Sequence, residues 1–161
     1  VAKRPDAVVQ ISAYKSCAAF VRAARKAGYG GTFYNVSFVG TQALSDELGS
    51  EAAGVMVTQV MPHPFSTTHG LSRDYLAALQ RAGGTAKPNY SSMEGYVAAR
   101  VFVEGLKRAG RNPGREDLIR GLESLDRLDL GGFAIGFNQR SHVASQFVEL
   151  TMLTADGRVK R

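Results

Sequence analysis

Few residues in this sequence are able to do covalent chemistry, and their surroundings argue against it. Cys17 is the single cysteine in 161 residues. It falls at the start of a helical pattern, where a thiol pKa is lowered, but no histidine lies near it in sequence to serve as a base, so it reads as a small buried residue. His63 and His69 have no third ligand at a spacing that zinc requires. Gly28-Tyr29-Gly30-Gly31 is glycine-rich, yet it follows a helical pattern, whereas a dinucleotide fingerprint follows a strand and opens a helix. It reads as a helix cap and turn. There is no Walker lysine, no G-x-S-x-G elbow and no S-x-x-K. This inventory predicts a binding module and not an enzyme, with no cofactor and no metal.

Charge narrows the partners. Lys and Arg number 20 against 14 Asp and Glu, a formal balance of +6, which invites a nucleic-acid reading. The cations are dispersed along helical faces (Arg22, Arg25, Lys26; Lys107, Arg108, Arg111) and are not interleaved with exposed aromatics as on an RNA-binding sheet. They read as a solvated surface. No stretch approaches the roughly 20 apolar residues of a membrane-spanning helix.

The elements that must position any binding residues follow from periodicity. Asp6 to Ser12 contains the run Ala7-Val8-Val9 with Ile11 and fits a buried parallel strand. A helix follows, with Ala18, Phe20, Val21, Ala24 and Ala27 on one face and Gly28 at the expected left-handed cap. Thr32 to Val36 predicts a second strand, Gln42 to Leu48 a short helix ended by Gly49, and Gly54 to Val60 a third strand. This alternation is a doubly wound α/β pattern with right-handed crossovers and a parallel sheet.

Met61-Pro62-His63-Pro64-Phe65 must then be extended, because each proline restricts itself and its predecessor. Three helices are predicted next. The first spans Leu71 to Arg81. The second starts at Ser91, where Ser91-Ser92-Met93-Glu94 has capping-box spacing. The third runs from about Arg115 to Ser124. From Phe133 the period changes to two, with a turn at Asn138 to His142 and a second alternating run at Gln146 to Leu153, an antiparallel ending on an α/β body.

In open α/β sheets ligands sit beyond the carboxyl ends of strands, where helix N-termini offer free amides. The first strand ends at Ser12-Ala13-Tyr14-Lys15-Ser16 and the second at Phe33-Tyr34-Asn35-Val36-Ser37. These loops are where a ligand is expected.

Four segments in order, PDAVVQISAYKSCAAFVRAARKAGYGGTFYN, GVMVTQVMPHPF, SSMEGYVAARVFVEGLKRAG and LGGFAIGFNQRSHVASQFVELTML, resemble the leucine/isoleucine/valine-binding family of type I periplasmic solute-binding proteins, in its C-terminal half. The resemblance implies a Rossmann-like, doubly wound periplasmic binding protein type I fold covering parts of two lobes. Residues 1–60 would be the distal part of the second lobe and 61–65 a hinge crossover. Residues 66–128 would be helices returning to the first lobe, and 129–161 strands returning to the hinge and second lobe. It further implies a periplasmic solute-binding component of an ABC importer, recognised by a permease, with its small polar ligand (branched-chain amino acid-like, amide or small carboxylate) held in an interlobe cleft. An intracellular sensor of the same fold, like the amidase regulators, is the alternative. With the family's N-terminal half outside these residues, unpaired sheet edges favour a homodimer or association with that half.

The site residues come from the same resemblance. Relatives carry an aromatic residue after the first strand, matched here by Tyr14, or by Ala13 if the alignment slips by one; Ser12 opens this loop. Relatives that bind α-amino acids carry an acid after the second strand, where this sequence has Ser37. A serine cannot compensate an ammonium, and burying an unpaired ion costs several kcal/mol, so a small carboxylate, amide or aromatic acid becomes competitive. Asn35 and Ser37 could hydrogen-bond such a ligand. Glu94 opens the helix that faces the cleft in relatives, though a capping role explains it equally.

Overall fold

Short runs rich in β-branched and aromatic residues alternate with longer stretches of helical period, and each becomes one element. The computed structural model describes residues 3 and 5–161. Its elements run β1 (Ala7–Gln10), α1 (Tyr14–Lys26), β2 (Thr32–Asn35), α2 (Thr41–Leu48), β3 (Met56–Gln59), α3 (Gly70–Ala82), α4 (Tyr90–Ala109), α5 (Arg115–Glu123), β4 (Leu128–Asp129), β5 (Ala134–Ile135), β6 (Glu149–Leu153) and β7 (Val159–Lys160). They are grouped in two compact units, Val1–Val60 with Val148–Arg161, and Met61–Phe147.

The first unit is a five-stranded sheet of order β1-β2-β3-β6-β7. β1, β2 and β3 are parallel, and β6 and β7 join antiparallel. Cys17, Ala18, Val21 and Ala24 of α1 share one helical face, which is buried with Leu44 and Leu48 of α2 against Phe33, Val57 and Leu153 of the sheet. Burial of the valine, leucine and phenylalanine side chains among them contributes about 1.5–3 kcal/mol each. Gly28 takes φ +83°, the conformation that ends α1, and the next residue, Tyr29, donates its backbone N–H to Ala24 O at 3.0 Å. Tyr29 then packs edge-on to Phe33, with ring centroids 5.2 Å apart. The glycine-rich stretch is thus a cap and turn.

In the second unit α3, α4 and α5 bury Leu71, Tyr75, Met93, Val97, Val101 and Leu125 together with Leu130, Phe133 and Ile135 around the β4–β5 ladder. The two alternating runs near the C-terminus do not pair with each other: β5 pairs with β4, and β6 pairs with β3. The turn between them is closed by reciprocal backbone bonds of Asn138 and Ser141, both 3.1 Å.

The start of α4 differs from the sequence expectation. Asn89, not Ser91, is the N-cap: its Oδ1 accepts from Ser92 N at 2.9 Å. Glu94 therefore lies past the third helical position and closes no capping box. Asparagine caps as well as serine, Pro88 precedes it, and the Tyr75 hydroxyl accepts from Asn89 N at 3.2 Å and bonds Ser92 Oγ at 2.6 Å, which fixes the helix start two residues earlier than Glu94 needs.

Candidate ligand-binding site

The three parallel strands read AVVQ, TFYN and MVTQ, and each ends on a side-chain amide. Gln10, Asn35 and Gln59 are all buried on the face that α1 and α2 cover. Gln10 pairs with Asn35 in register, so the two loops that follow leave the sheet level with one another. Ser12 stands two residues beyond Gln10, and Ser37 two residues beyond Asn35.

The first loop is held from both sides. Gln10 Nε2 donates to Cys17 O at 3.3 Å, and Cys17 Sγ donates to Ser12 O at 3.4 Å. Burial pushes the Cys17 thiol pKa up, opposed by the smaller effect of its bond to the Ser12 backbone. The thiol therefore stays protonated and acts as a staple across the loop. Tyr14, half-buried, is the first residue of α1, with the Lys15 ammonium 6.0 Å from its ring centroid.

The second loop runs through Ser37, half-buried, into one tight turn (Val39 N to Val36 O, 3.0 Å; Gly40 N to Ser37 O, 3.3 Å) and then α2. Both α1 and α2 start at this edge of the sheet. Their N-caps, Ala13 and Gly40, make no side-chain cap, and neither first turn holds an acid. Residues 11–16 and 36–42 contain no Asp or Glu. Two helix N-termini and Lys15 thus give this edge a positive potential with no carboxylate to oppose it.

Among the expected site residues, Ser12, Tyr14, Asn35 and Ser37 are brought together at this edge. Asn35 is 1% exposed; its Nδ2 donates to Met56 O at 3.3 Å, so it forms the floor beneath Ser37. Its Oδ1 and Gln10 Oε1 are buried acceptors with no protein donor among the described residues. Glu94 belongs to the second unit, half-buried on α4, and desolvation raises its carboxyl pKa above the usual glutamate value.

Gln10 and Gln59 were not among the candidates from sequence. Their signal was present, an amide closing each of three apolar runs, but a polar residue at a strand end also reads as the start of a loop. A concavity of about 700 Å³ over Arg120, Glu123, Ser124, Asn138, Gln139 and Arg140 lies in the second unit. Every one of those residues except Glu123 is exposed; no buried polar group anchors it, and the strand ends are the better candidate. Among the described residues no group of three or more His, Cys, Asp or Glu is placed to hold a metal ion, and no helix is long and apolar enough to cross a membrane.

Comparison with known proteins identifies the family and the fold. The sequence profile described as "Periplasmic binding protein" matches residues 1–158. A possible leucine/isoleucine/valine-binding protein from Rhodopirellula baltica is 32% identical with a TM-score of 0.89, over 94% of this chain and 41% of its own. A substrate-binding periplasmic protein from Ralstonia solanacearum is 28% identical with a TM-score of 0.83, over 96% and 45%. An extracellular ligand-binding receptor from Verminephrobacter eiseniae is 26% identical with a TM-score of 0.82, over 97% and 44%. The chain thus spans less than half the length of these solved relatives. Among curated proteins none matches the chain.

Proposed function

Because the chain belongs to the periplasmic binding protein family, we propose that it supplies part of the ligand cleft of a solute-binding component of an ABC importer. It performs no chemistry. The protein works in the periplasm and hands its solute to a permease. Residues 1–60 and the returning C-terminal strands belong to one lobe, the helices of 66–128 to the other, and Met61 to Phe65 is the hinge. Ligand binding shifts the lobes toward a closed state by its greater affinity for that state.

The single observation that supports this reading is the edge at β1 and β2: level strand ends, two helix N-termini without side-chain caps, and no acid in either loop. Ser12, Tyr14 and Ser37 make the direct contacts over the Asn35 floor, and Glu94 contributes from α4. An anionic group is favoured at that edge, whereas an ammonium would meet Ser37 and two positive helix ends. The ligand is therefore a small carboxylate or amide in preference to an α-amino acid, even though similar proteins carry the description leucine/isoleucine/valine-binding.

A thermal-shift screen tests this with propanoate, benzoate, propanamide and the amino acids leucine, isoleucine and valine. At 100 times its dissociation constant a ligand stabilises by about 2.7 kcal/mol, which at about 2–4 °C per kcal/mol is a shift of about 5–11 °C. The expected result is a shift with a carboxylate or amide lacking an amine, and a change of preference toward leucine in Ser37→Asp. A selective response of the unaltered protein to leucine, isoleucine or valine would show that another group holds the ammonium and would overturn the reading of Ser37.

A further inference from the structure

Of the three amides that end the parallel strands, only the third has both its nitrogen and its oxygen paired. Gln59 Nε2 donates to Thr41 Oγ1 at 2.9 Å and to Thr151 Oγ1 at 3.0 Å, and its Oε1 accepts from Thr41 Oγ1 at 3.4 Å. Gln10 and Asn35 use their nitrogens alone: Gln10 Nε2 donates to Cys17 O and Asn35 Nδ2 to Met56 O, both at 3.3 Å. Turning either amide over would set its oxygen against a backbone carbonyl oxygen, so hydrogen bonding fixes both orientations. Gln10 Oε1 and Asn35 Oδ1 are left as acceptors with no protein donor among the described residues, on side chains of residues only 8% and 1% exposed. Buried polar groups are nearly always hydrogen-bonded, and each exception calls for a physical reason.

The two unmet oxygens occur where the candidate loops begin, on residues that are partners in register, and not at the third strand end. The helix starts adjoin them, since Cys17, whose carbonyl holds Gln10, lies in the first turn of α1. The first intrahelical bonds run from Cys17 N to Ala13 O at 3.1 Å and from Leu44 N to Gly40 O at 2.9 Å. The N–H groups of Tyr14 to Ser16 and of Thr41 to Ala43 are therefore unused within the helices. This edge offers donors from its helices and acceptors from its strand ends.

We infer that Gln10 and Asn35 are specificity-determining residues: their amide oxygens select a solute that carries N–H donors beside its carbonyl, a primary carboxamide and not a carboxylate. A carboxylate only accepts. Its oxygens suit the helix N–H groups but meet the two amide oxygens with no proton to share. Lys15 is exposed, so solvent and salt screen its charge and a full negative charge gains little from it. A carboxamide satisfies both sets, with its oxygen toward the helix starts and its NH2 toward Gln10 and Asn35. An ammonium also supplies donors, but it brings positive charge to two positive helix ends with no acid in either loop. The solute's donor reaches the two buried oxygens as the loop at Ser12 moves aside; the Cys17 thiol, a weak donor, holds that loop at 3.4 Å. This assignment rests on the solute-binding reading of the edge and chooses between the two ligand classes that it admits.

The test follows the Gln10 Cδ and Asn35 Cγ resonances of isotope-labelled protein during titration with propanamide, propanoate, leucine and methyl acetate. Methyl acetate matches propanamide in size and carbonyl but has no N–H. Propanamide is expected to move both resonances and to bind about tenfold or more tightly than propanoate or methyl acetate, because a site built to hydrogen-bond an N–H rejects the analogue that lacks it. Gln10→Met should remove most of that advantage; if the variant folds poorly, the two resonances of the unaltered protein still decide. Propanoate or methyl acetate binding as tightly as propanamide would overturn the selection of amides while leaving the preference against α-amino acids standing. Binding selective for leucine would overturn both. Resonances that stay in place at saturating propanamide, or an amide advantage unchanged in Gln10→Met, would overturn the role of these two residues.

Discussion

Replacing Gln59 by leucine should destabilise the first unit by about 3–5 kcal/mol, and the size follows from two lost hydrogen bonds and one stranded hydroxyl. Gln59 is 0% and Thr41 2% exposed. Gln59 Nε2 donates to Thr41 Oγ1 at 2.9 Å and to Thr151 Oγ1 at 3.0 Å, and Thr151 Oγ1 in turn donates to Val57 O at 2.8 Å. The leucine removes both amide donations, each worth about 1 kcal/mol net. Thr151 keeps its bond to Val57 O. The Thr41 hydroxyl keeps none of its Gln59 contacts, and a buried polar group without a partner costs about 1–3 kcal/mol. Adding Thr41→Val removes that stranded hydroxyl, so Gln59→Leu/Thr41→Val should be more stable than the sum of the single changes predicts, with a coupling of about 1–2 kcal/mol. Urea denaturation with an unchanged slope, combined with amide exchange at Val57 and Thr151, measures both quantities. A single variant within about 0.5 kcal/mol of the unaltered protein, the net worth of one weak hydrogen bond, or strictly additive effects, would refute the argument that this amide links β3, α2 and β6.

Two further expectations concern the second unit. A methyl group at Gly121 would lie 2.5 Å from Gly105 O, and one at Gly105 would lie 2.5 Å from Leu122 Cδ2. Overpacking costs about 1–3 kcal/mol, and backbone yields less than a leucine tip, so in thermal melts Gly121→Ala should lose more stability than Gly105→Ala. For Glu94, burial raises the carboxyl pKa, so the folded state binds this proton more tightly than the unfolded state. That contribution is present at low pH and declines as pH rises from the ordinary glutamate value through the raised one. Glu94→Gln should abolish this decline, seen as a pH-dependent difference between the two denaturation profiles; a flat difference would show that Glu94 ionises as an ordinary surface acid.

The strands and helices were legible because their periods are local. Val21, Ala24 and Gly28 mark a helix and its end whatever surrounds them, and the loops holding Ser12, Tyr14 and Ser37 follow from strand-to-helix boundaries. Long-range partners were not legible. The alternation of Gln146 to Leu153 gives a strand but not its neighbour, and β6 lies against β3 through contacts such as Gln59 to Thr151, which are 92 residues apart. The start of α4 was misplaced because Asn89 and Ser91 are both good caps. Tertiary contact with Tyr75 selects between them. The amides at the strand ends were visible as letters, but their burial depends on how far α1 and α2 overhang the sheet, which periodicity does not encode.

The same separation governs how the chain acquires its structure over time. β1 to β3 emerge from synthesis before the strand that flanks β3, and the whole second unit lies between them in sequence. Closing a loop of that length costs only a few times RT more than closing a short one, but it must await translation of β6, several seconds at about 5–20 residues per second. Until then the edge of β3, with Gln59 and its unmet donors, is open to solvent and to any other unpaired strand. The second unit, contiguous from Met61 to Phe147, is free to fold in that interval.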